Sequence, residues 1–179
     1  PHPYSWDPSA GVCNLCSPID VVFDDIEIIN RAYQSASELG SRLNLNLFSG
    51  TANEKNEKAS TSLKLKLQDL SDESSYKITI TSDDVEITAG DEIGFYYGLI
   101  SLMQLAQTYH QLIPCGFIFD KPRFSWRGQH LDTVRHFYSV DSLLKLLDLM
   151  SLFKLNKFHW HGVDDEAFRF KLDSHPEIA

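Results

Sequence analysis

Cationic residues are scarce in this sequence: Lys and Arg total 16 against 25 Asp and Glu, for a formal charge of -9. The excess acid is spread along the chain rather than gathered in a tail, which argues against nucleic acid and anionic membrane as partners. Long apolar runs are missing too. None approaches the roughly 20 residues needed to span a bilayer, and no charged-then-apolar leader precedes Pro1, so neither a membrane span nor a signal peptide is expected within these residues. A first residue of Pro rather than Met fits an N-terminus from which a leader has been removed. Cysteine is limited to Cys13 and Cys16 in a CNLC arrangement and to the distant Cys115. A CxxC pair without two further ligands or a βαβ context reads as ordinary thiols rather than a zinc or redox site. Free thiols lean toward a reducing, cytoplasmic compartment; a processed leader leaves a periplasmic, secreted or lysosomal one open.

Apolar residues are plentiful enough, at 42% of the chain, to build one or two small cores. Residues 1–18 are proline-rich and read as an irregular lead-in. From Ile26 the positions Ile29, Ala32, Tyr33, Ala36 and Leu39 recur at helical spacing, with Gly40 as a stop signal. Leu43, Leu45 and Leu47 alternate with Asn44 and Asn46 as in a strand, and the polar stretch Ser49 to Ser62 reads as a solvated loop. Three further strand patterns follow, at Leu63 to Leu67, Tyr76 to Ile80 and Val85 to Ile87. Short connections such as Ser82 to Asp84 make an antiparallel meander the expected arrangement. Asp91 to Tyr109 predicts a longer helix with a wide apolar face. The expectation for residues 19–119 is therefore an α+β domain, an antiparallel sheet carrying helices.

The character changes at DKPRF, from Asp120 onward. His130 to Val134 predicts a strand, Asp141 to Phe153 an amphipathic helix with Leu143, Leu144, Leu147, Met150 and Leu152 turned inward, and Lys157 to Gly162 a second strand. This is one βαβ unit, spanning residues 120–179. A parallel pair needs neighbours on its edges and helices on its faces, and a whole barrel takes about 250 residues, so the chain is expected to end inside a domain. Two segments dense in reactive side chains, WRGQHLDTVRHF and HWHGVDDEAFRF, lie where strands give way to loops. His159 and His161 are two apart, so they share a strand face, with Asp164 and Asp165 just beyond. Two imidazoles and a carboxylate can hold Zn²⁺ or non-haem iron; hydrogen-bonded barrel histidines are the plainer alternative. Asp164 and Asp165 are unsuited to be a paired catalytic acid and base, because successive strand residues point to opposite faces.

The run from Asp120 to Phe170 resembles the start of the catalytic barrel of family 20 glycoside hydrolases, in which a PRF–RG–LD–RH stretch is followed by a helix, KLN and HWH–DD. A small α+β domain, a sheet with helices on one face, commonly precedes that (β/α)₈ TIM barrel, and Gly94 to Gln107 is similar to its closing helix. Two positions depart from the pattern: Gly162, where an apolar residue is usual, and Phe168, where tryptophan is common. The resemblance implies a retaining β-N-acetylhexosaminidase that removes terminal, non-reducing N-acetylhexosamine. The sugar's own acetamido oxygen would be the nucleophile, an exception to the two-carboxylate rule. It implies that Arg135 grips sugar hydroxyls and that Asp164 supports a downstream histidine, with His161 and Asp165 as further candidates. The paired Asp and Glu that orient the acetamido group and protonate the leaving oxygen belong after a later barrel strand, so this chain alone is expected to be inactive.

No cofactor and no metal are implied. The implied partners are glycans ending in N-acetylhexosamine, or chito-oligosaccharides, together with the remainder of the barrel, in the same chain or in a cleaved fragment. Homo-oligomerisation stays open. An ion pair of Arg135 with Asp132 or Asp164 is the structural alternative to sugar binding. A metal-dependent barrel hydrolase using His159 and His161, and a non-catalytic fragment that binds carbohydrate or a partner, are the competing functions.

Overall fold

In the computed structural model, residues 2–16, 18–24, 26–45, 47, 53 and 59–178 are described. Their contacts divide the chain into two compact units, Pro1–Arg123 and Phe124–Ala179. The first unit holds strands β1 (Ser5–Asn14), β2 (Ile19–Phe23), β3 (Thr61–Leu67), β4 (Tyr76–Ile80), β5 (Asp84–Ala89) and β6 (Leu112–Asp120), with helices α1 (Glu27–Arg42) and α2 (Glu92–Thr108). The strands form one sheet in the order β1-β6-β4-β5-β3-β2.

The sheet is mixed, which corrects the expected antiparallel meander. β4 and β5 do form the hairpin that the short turn at Ser82 to Asp84 predicts, but β3 lies parallel to β5 rather than against β4, and β2 lies parallel to β3. Helix α1 is the crossover that lets β2 and β3 run the same way. Strand periodicity fixes which face is apolar, not which strand lies next door, so this pairing was not readable from alternation. The alternation itself holds. Leu63, Leu65, Tyr76, Ile78, Ile80, Val85, Ile87 and Ala89 are buried on one face, while Lys64, Lys66 and Thr79 on the other are exposed.

Residues 5–14 form a strand rather than an irregular lead-in. β1 lies at the sheet edge, and its register shifts between Pro8 and Val12. Edges and bulges are where a strand tolerates proline, since no ladder bond is asked of the missing N–H. β6 accommodates the close approach of β1 through Gly116: its φ is +153°, and a Cβ there would stand 2.6 Å from the Asp7 carbonyl oxygen. At the end of β6, Asp120 accepts hydrogen bonds from the Tyr4 amide (3.1 Å) and from the buried Tyr76 hydroxyl (2.7 Å). Burial and the neighbouring Asp120 charge push the Tyr76 phenol well above its usual range.

α1 runs through Gly40 instead of stopping there, because the left-handed residue is Asn44, with φ 55°. The Leu45 amide reaches back to the Gly40 carbonyl (2.8 Å) and the Asn44 amide to that of Ser41, the paired bonds of a Schellman stop. The expected strand at Leu43 to Leu47 is thus replaced by a helix end over its first residues; Asn46 lies outside the described residues, as does most of the expected loop Ser49 to Ser62. Thr61 and Ser62 belong to β3. α2 begins at Asp91, whose Oδ1 accepts from the Gly94 amide and whose Oδ2 accepts from the Ser74 amide, both at 2.7 Å. One carboxylate therefore caps the helix and pins the β3–β4 connection. α2 is buried nearly all round because it contacts α1 as well as β4, β5 and β6.

The second unit is the expected parallel βαβ: β7 (Gly128–Asp132), α3 (Val140–Leu152) and β8 (Lys157–His161). Ser139 caps α3 through the Ser142 amide, and Lys154 (φ 59°) ends it with a second Schellman pair, Leu155 to Met150 and Lys154 to Ser151. Among the described residues, the helix face expected to point inward is only partly buried. Met150 is buried, but Leu144 and Leu147 are 54% and 40% exposed. Two strands offer too little surface to bury a helix face.

Candidate functional site

The register of β7 and β8 sets His130 opposite His159 and Asp132 opposite His161. Period-two alternation puts His130, Asp132, His159 and His161 on one face and sends Leu131 and Trp160 to the other. At the strand ends this face passes into two loops, and there the charged groups converge.

Asp132 shapes the first loop. Its Oδ1 accepts from the backbone amides of Val134 (2.9 Å) and Arg135 (3.2 Å), a local turn that brings the Arg135 side chain back over the strand end. Its Oδ2 accepts from Arg135 Nη1 at 2.6 Å. From the second loop, Asp164 Oδ2 lies 2.6 Å from Arg135 Nη2 and 2.8 Å from His161 Nε2. Arg135 Nη1 also stands 3.4 Å from that His161 nitrogen. The guanidinium is thus held between two carboxylates from two loops while about half of its side chain, 51%, stays exposed. A guanidinium has five N–H donors. The two carboxylates take one apiece, and His161 Nε2, which donates to the anionic Asp164, accepts none, so three donors remain for another ligand.

Both carboxylates are held anionic. The bond from Arg135, and after it the backbone amides, brings the Asp132 carboxyl down to about 2. The Asp165 amide, donating to Asp164 Oδ1 at 2.8 Å, and then His161 bring the Asp164 carboxyl to about 2 as well. The same ion pairs raise Arg135 above its already high value. Both carboxylates are therefore anionic at neutral pH, and Arg135 is the fixed positive group between them.

Of the residues the sequence singled out, Arg135, Asp164 and His161 come together directly, and Asp165 joins through its backbone amide. Asp132 is the partner that makes the arrangement rigid; its spacing three residues before Arg135 was the readable signal. The buried Thr133 was not foreseen: its hydroxyl meets the His161 carbonyl (3.1 Å) and the Trp160 indole N–H (2.8 Å). Gly162 is explained by Phe170, whose ring lies 2.7 Å from where a Gly162 Cβ would stand. The aromatic ring fills the space that a side chain at 162 would take.

His130, His159 and His161 could offer nitrogens to a metal, their ligand atoms lying within 4.8 Å of one another. Tetrahedral zinc with bonds of about 2.0–2.1 Å would need them closer together. His161 Nε2 is bonded to Asp164, which leaves only Nδ1 of that ring for a metal, and the Arg135 cation beside it opposes a second positive charge. The His130 and His159 rings stand edge to face with their centres 4.6 Å apart.

Residues 1–121 match the model for glycosyl hydrolase family 20, domain 2, and residues 124–179 match the model for the family's catalytic domain. A beta-hexosaminidase of Vibrio vulnificus is 30% identical across the whole chain, which covers 20% of that relative. Beta-hexosaminidase subunit B1 of Dictyostelium discoideum is 35% identical over 89% of this chain and 27% of its own length. Among solved structures, the family 20 exo beta-N-acetylglucosaminidase of Vibrio harveyi in complex with N-acetylglucosamine is 28% identical, with a TM-score of 0.79 over 99% of this chain and 27% of that one. The beta-N-acetylhexosaminidase of Streptomyces coelicolor gives 26% and 0.77, over 97% of this chain and 36% of that one. The chain thus spans roughly a fifth to a third of the length of these relatives. Matched along nearly its whole length by two consecutive models of one family, it belongs to glycosyl hydrolase family 20.

Proposed function

We propose that this chain is the domain 2 and barrel-opening part of a retaining exo-glycosidase that removes terminal, non-reducing N-acetyl-β-D-hexosamine by substrate-assisted catalysis. The observation that carries the reading is the Arg135 guanidinium, clamped between Asp132 and Asp164 at the ends of two parallel strands and half exposed. Its unused N–H donors, in a rigid plane, suit two neighbouring sugar hydroxyls. Barrel active sites are built at such strand ends, which agrees with the membership of residues 124–179 in the family's catalytic domain.

In this reading Arg135 binds the sugar and Asp164 holds both Arg135 and His161 in place, transferring no proton itself. The acetamido oxygen of the substrate attacks the anomeric carbon, displacing the leaving group. The Asp that orients the acetamido and the Glu that protonates the leaving oxygen come from sequence beyond Ala179, so residues 1–179 alone carry out no turnover. Two strands and α3 are the opening of the eight-stranded barrel, and the exposed Leu144 and Leu147 await its later elements.

The test is cleavage of an aryl N-acetyl-β-glucosaminide by the full-length protein, with and without a chelator and a thiazoline mimic of the oxazoline intermediate. Activity that survives the chelator and is blocked by the thiazoline is expected. Activity abolished by the chelator would point to metal chemistry at His159 and His161, and an intact protein that cleaves nothing would remove the glycosidase reading.

A further inference from the structure

We propose that Arg169 is a positioning residue for the Arg135 grip, a clasp that sets how the loop after β7 stands against the loop after β8; this rests on Arg135 being the sugar-hydroxyl ligand. Beyond β8 the chain makes a tight return. Val163 bridges Phe168, the Asp164 amide donates to the Ala167 carbonyl (3.2 Å), and the Arg169 amide donates to the Gly162 carbonyl (2.9 Å). Phe170, against Gly162 and 5.0 Å from the Trp160 ring, seats the return on the strand.

The return brings Arg169 back beside the end of β8, and its guanidinium crosses to the other loop. Nε donates to the Thr133 carbonyl at 2.8 Å and Nη2 to the Val134 carbonyl at 2.9 Å. These are the two residues immediately before Arg135. The guanidinium carbon also lies 5.6 Å from the centre of the Phe137 ring, two residues after it. A planar fork bonded to consecutive carbonyls fixes both their position and their orientation. The backbone that carries Arg135 is therefore held by a side chain whose own backbone closes the loop carrying Asp164. One residue couples the two loops, and the 2.6 Å contact between Arg135 and Asp164 depends on that coupling.

A lysine at 169 has one ammonium in place of the fork and cannot reproduce both bonds in plane, while glutamine loses the charge as well. The experiment measures kcat/KM and melting temperature of the full-length protein on an aryl N-acetyl-β-glucosaminide for Arg169→Lys, Arg169→Gln, Arg135→Ala and the Arg135→Ala, Arg169→Gln double variant. Small misplacements of a positioning group cost up to about a hundredfold in rate. Arg169→Gln is expected to lower kcat/KM about tenfold or more, Arg169→Lys less, and Arg169→Gln to add almost nothing once Arg135 is gone. Should the glutamine variant not fold, the lysine variant carries the same comparison. A full multiplicative loss in the Arg135→Ala background would make Arg169 a stabiliser of the unit and overturn the clasp alone. So would an Arg169→Gln enzyme within twofold of wild type. An unaffected Arg135→Ala enzyme would instead sink the sugar-binding reading, and the clasp with it.

Discussion

Replacing Arg135 by alanine removes the only cation between Asp132 and Asp164 in the described contacts, and two effects follow with different pH signatures. The first is on substrate. Three N–H donors lie outside the two ion pairs Arg135 makes within the protein, enough for two neighbouring sugar hydroxyls, and each charge-assisted hydrogen bond to a hydroxyl is placed at the weak end of its range because the side chain is half exposed. Two such bonds correspond to a loss of about a hundredfold in kcat/KM. Arg135→Lys, which keeps the charge without the fork, should fall between wild type and alanine. The second effect is on the protein. Arg135 is the main cause holding the Asp132 carboxyl at about 2, so without it that group returns toward its ordinary value near 3.9. In the wild type, a depressed carboxyl contributes stability above its unfolded pKa, and the contribution is lost as pH falls from about 4 toward 2. The variant lacks this contribution, so its melting temperature should trail the wild type most at neutral pH and converge with it as pH drops below about 4. The assays are steady-state kinetics on an aryl N-acetyl-β-glucosaminide and calorimetric melting from pH 7 to 3. A variant within threefold of wild-type kcat/KM, or a melting gap that widens on acidification, would refute the argument.

In α2, Gly98→Ala puts a Cβ 2.6 Å from Ile87 Cγ2 and 3.3 Å from Tyr76 Cδ2; overpacking of about 1–3 kcal/mol should outweigh a helix-propensity gain of about 1 kcal/mol. Thermal melting reads the sign, and a higher melting temperature would contradict it. Asp91→Ala removes both the helix cap and the Ser74 bond, and denaturant titration should show a loss of about 1–2 kcal/mol; an unchanged midpoint would mean that water replaces both. Native protein should present Cys16 to an aromatic disulfide reagent while Cys13 and Cys115, both buried, react only on denaturation. Burial also lifts the Cys13 thiol to about 11, so little thiolate exists at pH 8. Rapid native labelling of all three would show that β1 and β6 separate readily.

Helices α2 and α3 and strands β4, β5, β7 and β8 were legible because each carries its own periodicity and a local boundary: Asp91 or Ser139 as a cap, a short turn at Ser82 to Asp84, or a Pro-containing joint. β1 and β6 were not, since Pro8, Pro114 and Gly116 break the local pattern; Pro8 is acceptable on the edge strand beside the register shift, Pro114 because it lies beyond the stretch of β6 that pairs with β4, and Gly116 because β1 comes so close. The stop of α1 was misread for a related reason. Glycine is the usual left-handed residue, yet here Asn44 takes that conformation, and Gly40 serves the close approach of α2, where a Cβ would stand 3.0 Å from Met103 Sδ.

At the candidate site, the sequence by itself determined the residue types, the strand faces and the resemblance that singled out Arg135 and Asp164, because these depend on spacing along one chain. Only the tertiary structure decided that Asp132, Asp164 and His161 converge on one guanidinium, that β3 lies beside β5, and that Arg169 reaches the carbonyls of Thr133 and Val134. Those outcomes turn on which strands become neighbours and how two loops return, and contacts between residues up to 36 apart in sequence leave no periodic trace in it.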